Sequence, residues 1–272
     1  MNKILLFGAN GQIGKAIALQ TEVIGVTSSD IDYGNLAAVK SLINSVLPDV
    51  VINCAAYTAV DKAEDEMEES HRLNVTLPQN LMHSCMFEGI PLIHFSTDYV
   101  FGGESTGSYS EYSSYCPLNV YGLHKAIAEV NLQRYNKARI FRVQGVYSEH
   151  RSNFYKAILS RIPSGYPLNV VSDQYTCPTS ADWIATKTLQ TINSDKYGLY
   201  NLAPHNECSF ADFAETIVDG QIPINRITSN EYGSIAKRPN RVIFNTSKFR
   251  NDFDQSFEDW KTVYYNFKKR IN

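Results

Sequence analysis

The chain has 272 residues, 43% of them hydrophobic and 19% charged. That length can bury about three quarters of the unfolded surface, in one large α/β unit or in two lobes around a cleft. A net charge of −3 argues against nucleic acid or a membrane surface as the main partner, and no apolar run reaches the roughly 18 residues of a membrane span.

No signal-peptide pattern is present at Met1, so a cytoplasmic protein is expected. The cysteines Cys54, Cys85, Cys116, Cys177 and Cys208 form no Cys-x-x-Cys pair. They read as reduced, mostly buried thiols, and neither a zinc site nor a disulfide framework is expected. The metal expectation is none.

In chain order, Lys3 to Phe7 is a short apolar run that reads as a buried parallel strand. Gly8-Ala9-Asn10-Gly11-Gln12-Ile13-Gly14 follows and leads into a helical stretch from Lys15 to Gln20. Glycines there permit a tight turn and bring backbone N–H groups to a pyrophosphate at a helix N-terminus. The spacing is Gly-x-x-Gly-x-x-Gly, not the Gly-x-Gly-x-x-Gly of many dehydrogenases, and the competing reading is an ordinary glycine-rich turn. A second strand, Glu22 to Thr27, ends in Thr27-Ser28-Ser29. Enzymes selective for NADH often place an acid there to bond the ribose 2′-hydroxyl. Hydroxyls alone tolerate a 2′-phosphate, so the preference leans to NADPH over NADH. Asp30 arrives a few residues late and lies either beside the adenine or in a turn or cap.

Further buried strands are expected at residues 50–55, 92–96 and 139–143, separated by helical stretches at 36–46, 64–74, 78–88 and 121–135. Alternating strands and helices indicate a Rossmann-like, doubly wound parallel sheet. In such sheets ligands bind beyond the carboxyl ends of the strands, which directs attention to residues 8–13, 55–58, 96–101 and 144–147. His94 reads as a satisfied core residue, and His124 as facing away from Tyr121. Past residue 148, prolines and glycines break the chain into shorter pieces. The expected division is a dinucleotide-binding domain over 1–148 and a smaller, mainly substrate-binding α/β lobe over 149–272, with the chain free to return to the first domain.

The most informative stretch is Tyr121-Gly122-Leu123-His124-Lys125. Residues four apart share a helix face, so a phenol and an ammonium project side by side. A nearby cation favours the phenolate of a group that ordinarily titrates near ~10. Such a tyrosine can exchange a proton with a carbonyl oxygen. Upstream, Ser96 and Thr97 both stand where a hydroxyl at a strand end can steady charge developing on that oxygen. Core tyrosine, surface lysine and plain turn are the alternatives for each residue taken alone. The order glycine turn, Ser-Thr, Tyr-x-x-x-Lys favours a ketone reductase with a nicotinamide cofactor.

This ordered set resembles the extended short-chain dehydrogenase/reductases, and within them the dTDP-4-dehydrorhamnose reductase family. The matching blocks are residues 8–14, Asn53 to Glu64, Ser96 to Phe101, Pro117 to Gly122 with Lys125 and Glu129, Asp173-Gln174-Tyr175 with Pro178-Thr179, Arg238-Pro239, and Asn245-Thr246 with Lys248. The resemblance covers nearly the whole chain. It implies NAD(P)H-dependent reduction of the C4 ketone of a nucleotide-linked 4-keto-6-deoxy sugar; a homodimer is one assembly the sequence leaves open. It makes Tyr121 the proton donor, Lys125 a ligand of the nicotinamide ribose and Thr97, rather than Ser96, the catalytic hydroxyl. It places Gly8, Asn10, Gly11, Gln12 and Ile13 at the pyrophosphate, Asp30 and Ile31 beside the adenine, and Ala55, Ala56, Tyr57 and Thr58 along the cofactor. Asp98, Tyr99, Gly145, Asn153 and Tyr175 fall to the sugar. Arg238 and Arg241 are candidates for the nucleotide diphosphate, since guanidinium pairs well with phosphate. Two positions depart from the family pattern. Gly145 stands where the family carries a Trp that packs on the sugar, leaving Tyr147 or Tyr175 to cover it, and Gly102 stands where Asp is usual.

Two rival readings are a nucleotide-sugar dehydratase or epimerase and a non-catalytic subunit like the regulatory subunit of methionine adenosyltransferase. Dehydratases typically place Asp-Glu directly after the Thr, where this chain has Asp98-Tyr99. The joint presence of Thr97, Tyr121 and Lys125 weighs against the binding subunit.

Overall fold

The computed structural model describes residues 2–105 and 107–271. Met1, where a leader was sought, Thr106 and Asn272 lie outside them. Six parallel strands form the central sheet: β1 (Ile4–Phe7), β2 (Ile24–Val26), β3 (Val50–Asn53), β4 (Leu92–Thr97), β5 (Ala138–Val143) and Gly198–Asn201. Their spatial order is β2-β1-β3-β4-β5 and then Gly198–Asn201. The order reverses beside β1, so the expected doubly wound sheet is the one that forms.

Successive strand residues face opposite sides, and both sides are covered. Ile4 and Leu6 pack with Ala16 and Ile17 of helix α1 (Gln12–Gln20). Leu5 and Phe7 pack with Val39 and Ile43 of α2 (Leu36–Val46). This two-sided burial explains why the strands are continuous apolar runs.

One helix differs from expectation. In place of a single helix over 64–74, the chain makes a 3-10 turn at Lys62–Glu64, then α3 (Met67–His71), then a π-turn at Arg72–Thr76 that runs into α4 (Leu77–Glu88). Pro78 supplies no N–H to the carbonyl of Asn74, four residues back, so a regular α-helix cannot continue through this point. Widened turns of this kind often mark functional positions, and here Asn74 sits in it.

Helix α5 (Val120–Leu132) lies on the α4 side of the sheet. Toward the C-terminus come α6 (Phe154–Leu159), α7 (Ala181–Leu189) and α8 (Phe210–Val218). Helix α7 packs on α1 and its Trp183 and Ile184 join the first core cluster. Helix α8, capped reciprocally by Ser209 and Asp212, belongs to a separate cluster with Tyr147, Tyr155, Trp260, Tyr264 and Phe267. No helix among the described residues is long and apolar enough to cross a membrane.

Beneath the sheet's carboxyl edge lies a fully buried ion pair, Arg142 Nη2 to Glu129 Oε2 at 2.7 Å. The Tyr115 hydroxyl donates to the same carboxylate, and the guanidinium stacks on Phe101. Removing one partner of such a pair leaves a bare buried charge. Glu129→Gln is expected to lower stability by about 3–5 kcal/mol, read as a lower urea midpoint at unchanged slope. The double variant Glu129→Leu/Arg142→Met should recover most of that loss.

Candidate active site

A cleft of about 900 Å³ opens over the carboxyl ends of β1 to β5. Gly8, Asn10, Gly11, Gln12 and Ile13 line one end of it. Gly8 is at φ +75°, and a Cβ there would stand 2.4 Å from the backbone nitrogen of Ala55. Only glycine lets the first turn lie against the loop after β3. Gly11 precedes α1 and offers no side-chain cap, and the first turn of α1 carries no acid. The N–H groups there are thus left for an anion, which is what a dinucleotide pyrophosphate requires. Gly8→Ala is expected to weaken dinucleotide binding at least tenfold, because the added methyl forces the turn and the β3 loop apart. A fluorescence titration with NADPH checks this, and unchanged affinity would remove the turn from the site.

The segment after β5 braces that turn. The Gln12 side-chain oxygen accepts from Ser148 Oγ at 3.0 Å and from Asn153 Nδ2 at 2.8 Å. Arg151 Nε donates to the Asn10 carbonyl at 2.9 Å. Asn153 therefore lines the cleft, but its amide is committed to Gln12 and its oxygen caps α6 by accepting from Lys156 N–H. No motif or spacing marks Ser148 or Arg151 as part of the site.

At the far end, Thr27, Ser28 and Ser29 line the cleft together with Tyr33, whose hydroxyl donates to the Val26 carbonyl. Asp30 does not line it. Its carboxylate accepts from the N–H and the hydroxyl of Thr27, both at 2.7 Å, and these bonds hold it below the usual carboxylate range. In the free protein the carboxylate thus closes the turn after β2. Ile31 packs against the core cluster under β1 and β3.

Beyond β3, Ala55, Ala56 and Thr58 line the cleft, but the Tyr57 side chain turns out of it and donates to Glu66 at 2.5 Å. Asn74, from the π-turn, accepts from the Tyr57 N–H and donates to its carbonyl, fixing this loop.

At the end of β4, the Thr97 hydroxyl donates to Asp98 Oδ1 at 3.0 Å and accepts from the Tyr99 N–H. Burial pushes the Asp98 carboxyl up to about 7. Helix α5 starts where Asn119 accepts from the Gly122 N–H. A Cβ on Gly122 would stand 2.2 Å from the Tyr99 carbonyl oxygen, so glycine seats α5 directly on the turn after Thr97. Tyr121 consequently reaches the cleft with its ring 5.9 Å from that of Tyr99.

The expectation that Lys125 pulls Tyr121 toward phenolate is not what the structure shows. Burial raises the phenol, and the Thr97 hydroxyl beside it only partly opposes this. Lys125 Nζ spends its bonds elsewhere: it donates to the Phe95 carbonyl and lies 3.0 Å from His94 Nε2. Burial also lowers the Lys125 ammonium from 10.5 to about 7. Desolvation is the main cause in both groups. His94 is buried and satisfied, with Nδ1 3.0 Å from Asn53 Nδ2. His124 contacts Ser70 and His71, away from the cleft.

Of the remaining sugar candidates, Asp98, Tyr99, Gly145 and Tyr175 line the cleft. Tyr147 does not: its strand, Val146–Tyr147, pairs with Thr179–Ser180, and the ring is fully buried among Tyr155, Phe213 and Phe267. Tyr175 is left as the exposed ring on that wall. Arg238 and Arg241 do not line the cleft. Arg238 pairs with Asp61 and Arg241 with Glu207, both at 2.8 Å or less. Pro239, between them, does reach it.

The family model described as RmlD substrate binding domain matches residues 1–271. The chain is 34% identical to dTDP-4-dehydrorhamnose reductase of Escherichia coli K12, over 95% of this chain and 94% of that protein. The crystal structure of dTDP-4-dehydrorhamnose reductase from Bacillus anthracis in complex with NADP superposes with a TM-score of 0.96 at 27% identity, covering 99% of both chains. The crystal structure of a dTDP-4-dehydrorhamnose reductase from Clostridium acetobutylicum gives 0.95 at 31% identity, again over 99% of each. Likeness in sequence and in backbone, each running nearly end to end, places this chain in the dTDP-4-dehydrorhamnose reductase family.

Proposed function

We propose that the protein reduces the C4 ketone of a nucleotide-linked 4-keto-6-deoxy sugar, with dTDP-4-dehydrorhamnose as substrate and NADPH as reductant. The observation that carries this is the meeting of Tyr121, Thr97 and Lys125 with the glycine turn in one cleft, in a chain whose relatives carry that name. The bound nicotinamide supplies the hydride that reaches C4. Tyr121 gives its phenolic proton to the carbonyl oxygen, which becomes the C4 hydroxyl. Burial keeps that phenol protonated at neutral pH, as a proton donor must be. Thr97 orients the oxygen once its hydroxyl proton, given to Asp98 in the free protein, turns to the substrate. The hydroxyls of Thr27, Ser28 and Ser29, with Asp30 turned into its own loop, suit the 2′-phosphate of NADPH. Arg151 is the one arginine among the described cleft-lining residues.

The same reading puts the protein in the cytoplasm, in keeping with its five free thiols, and in a homodimer. Leu123 and Val130, exposed one heptad apart on α5, are apolar surface a second copy would cover. NADPH oxidation measured across dTDP-, UDP-, CDP- and GDP-linked 4-keto-6-deoxy sugars tests the proposal. Turnover should be greatest with the dTDP-linked substrate, and no oxidation with any of the four would overturn it.

A further inference from the structure

The polar chain behind the catalytic helix fixes its own protons. Asn53 Oδ1 accepts from the Ala55 N–H at 3.0 Å, so the amide cannot turn over without setting two donors against each other. Its Nδ2 therefore donates to His94 Nδ1 at 3.0 Å. A neutral imidazole carries one proton, and with Nδ1 accepting, that proton is on Nε2. Nε2–H then points at Lys125 Nζ, 3.0 Å away. An ammonium has three donors and no lone pair, so it would set N–H against N–H. A neutral amine satisfies every atom: it accepts from His94 and donates to the Phe95 carbonyl.

We propose that Asn53 and His94 are positioning residues that hold Lys125 as a neutral amine in the free protein, and that dinucleotide binding is coupled to uptake of a proton by Lys125. The proposal rests on the reductase reading for the ligand, but its proton count rests on the Asn53–His94–Lys125 geometry alone. Bridging a ribose hydroxyl and Tyr121 while keeping the Phe95 carbonyl needs three donors, which only the ammonium offers. The added proton comes from solvent; His94 keeps its own, so the ammonium gives up its contact with Nε2–H as it turns toward the ribose and Tyr121.

The groups facing Lys125 agree. Burial lowers His94 well below its ordinary value and keeps the Cys54 thiol protonated. Glu129, one turn along α5, favours the ammonium, but its carboxylate is engaged by Arg142. Tyr121, one turn back, stays a neutral phenol. The Lys125 amine itself is lowered to about 7, so at pH 8 the free protein carries it mostly unprotonated.

The test is long-range ¹H–¹⁵N correlation of histidine-labelled protein without ligand. His94 should show the neutral Nε2–H tautomer at pH 7.5. Asn53→Asp, isosteric but with an acceptor in place of the amide donor, should convert it to Nδ1–H. Calorimetric titration with NADP⁺ at pH 8, in buffers of different ionisation enthalpy, should show about one proton taken up per dinucleotide in the parent and markedly less in Asn53→Asp. An Nδ1–H tautomer or an imidazolium in the parent would overturn the proposal, as would absent uptake. Should Asn53→Asp not fold, the parent tautomer and uptake still decide. A protein that turns over no sugar would leave the tautomer result intact, so the two failures are distinguishable.

Discussion

Tyr121→Phe should lose about 10²–10⁴ in turnover, the span that a positioned proton donor contributes, while NADPH still binds. The substitution deletes one hydroxyl at the cleft wall. The ring keeps its edge contact with Tyr99, and the glycine turn is untouched. The loss should therefore fall on kcat with dinucleotide affinity preserved, and stopped-flow turnover beside a fluorescence titration separates the two. Parent-rate turnover would remove Tyr121 from the chemistry. An equal loss of dinucleotide affinity would make its role structural.

Lys125→Met should abolish most activity and yet make the fold more stable, by an amount that depends on pH. The folded-state value of Lys125, about 7, lies below its ordinary 10.5. Between those values the unfolded chain binds the proton that the folded protein does not. The neutral lysine's contribution is therefore complete above about 10.5, shrinks as the pH falls, and is lost below about 7. At about 1.4 kcal/mol per pK unit, ionised Lys125 costs on the order of 4–5 kcal/mol at pH 6. Methionine fills similar space without that cost but forfeits the bonds to His94 and the Phe95 carbonyl, about 1 kcal/mol each. The variant should exceed the parent by roughly 2–3 kcal/mol at pH 6, with the advantage gone at about pH 9 and the parent the more stable above it. Asp98 bears on the same pH range with opposite sign. Its value is raised to about 7, so its contribution is present below about 4 and lost as the pH rises through 7. Asp98 is common to both proteins, so the difference between their urea curves isolates Lys125. A variant less stable than the parent at pH 6 would contradict the desolvation account.

The parallel sheet was legible because its strands are buried on both sides and show it as unbroken apolar runs, with prolines and glycines as punctuation. The π-turn was not legible, because Pro78 reads as the start of a new helix while α3 and α4 are in fact joined. Within the site, Gly8, Gly11, Tyr121 and Lys125 follow from strand-end position and spacing, which leave Ser96 and Thr97 level until the family resemblance selects Thr97, and the structure gathers them in one cleft. Protonation was not legible: helix spacing puts Lys125 near Tyr121, but only coordinates show the amine committed to Phe95 and His94. The pairing of two arginines was not legible for a related reason. Arg238 and Arg241 look free in sequence, and their partners, Asp61 and Glu207, are far away along the chain. The buried polar strand residues Asn53 and His94 were the available sign of a network, since polar side chains at fully buried positions need partners.

The most direct test of the reductase account uses NADPH deuterated on the transferring C4 position of the nicotinamide, with dTDP-4-dehydrorhamnose. Proton NMR of the product sugar should show deuterium at C4 and nowhere else on the ring. Deuterium absent from the sugar, or found at another carbon, would contradict reduction of the C4 ketone in this cleft.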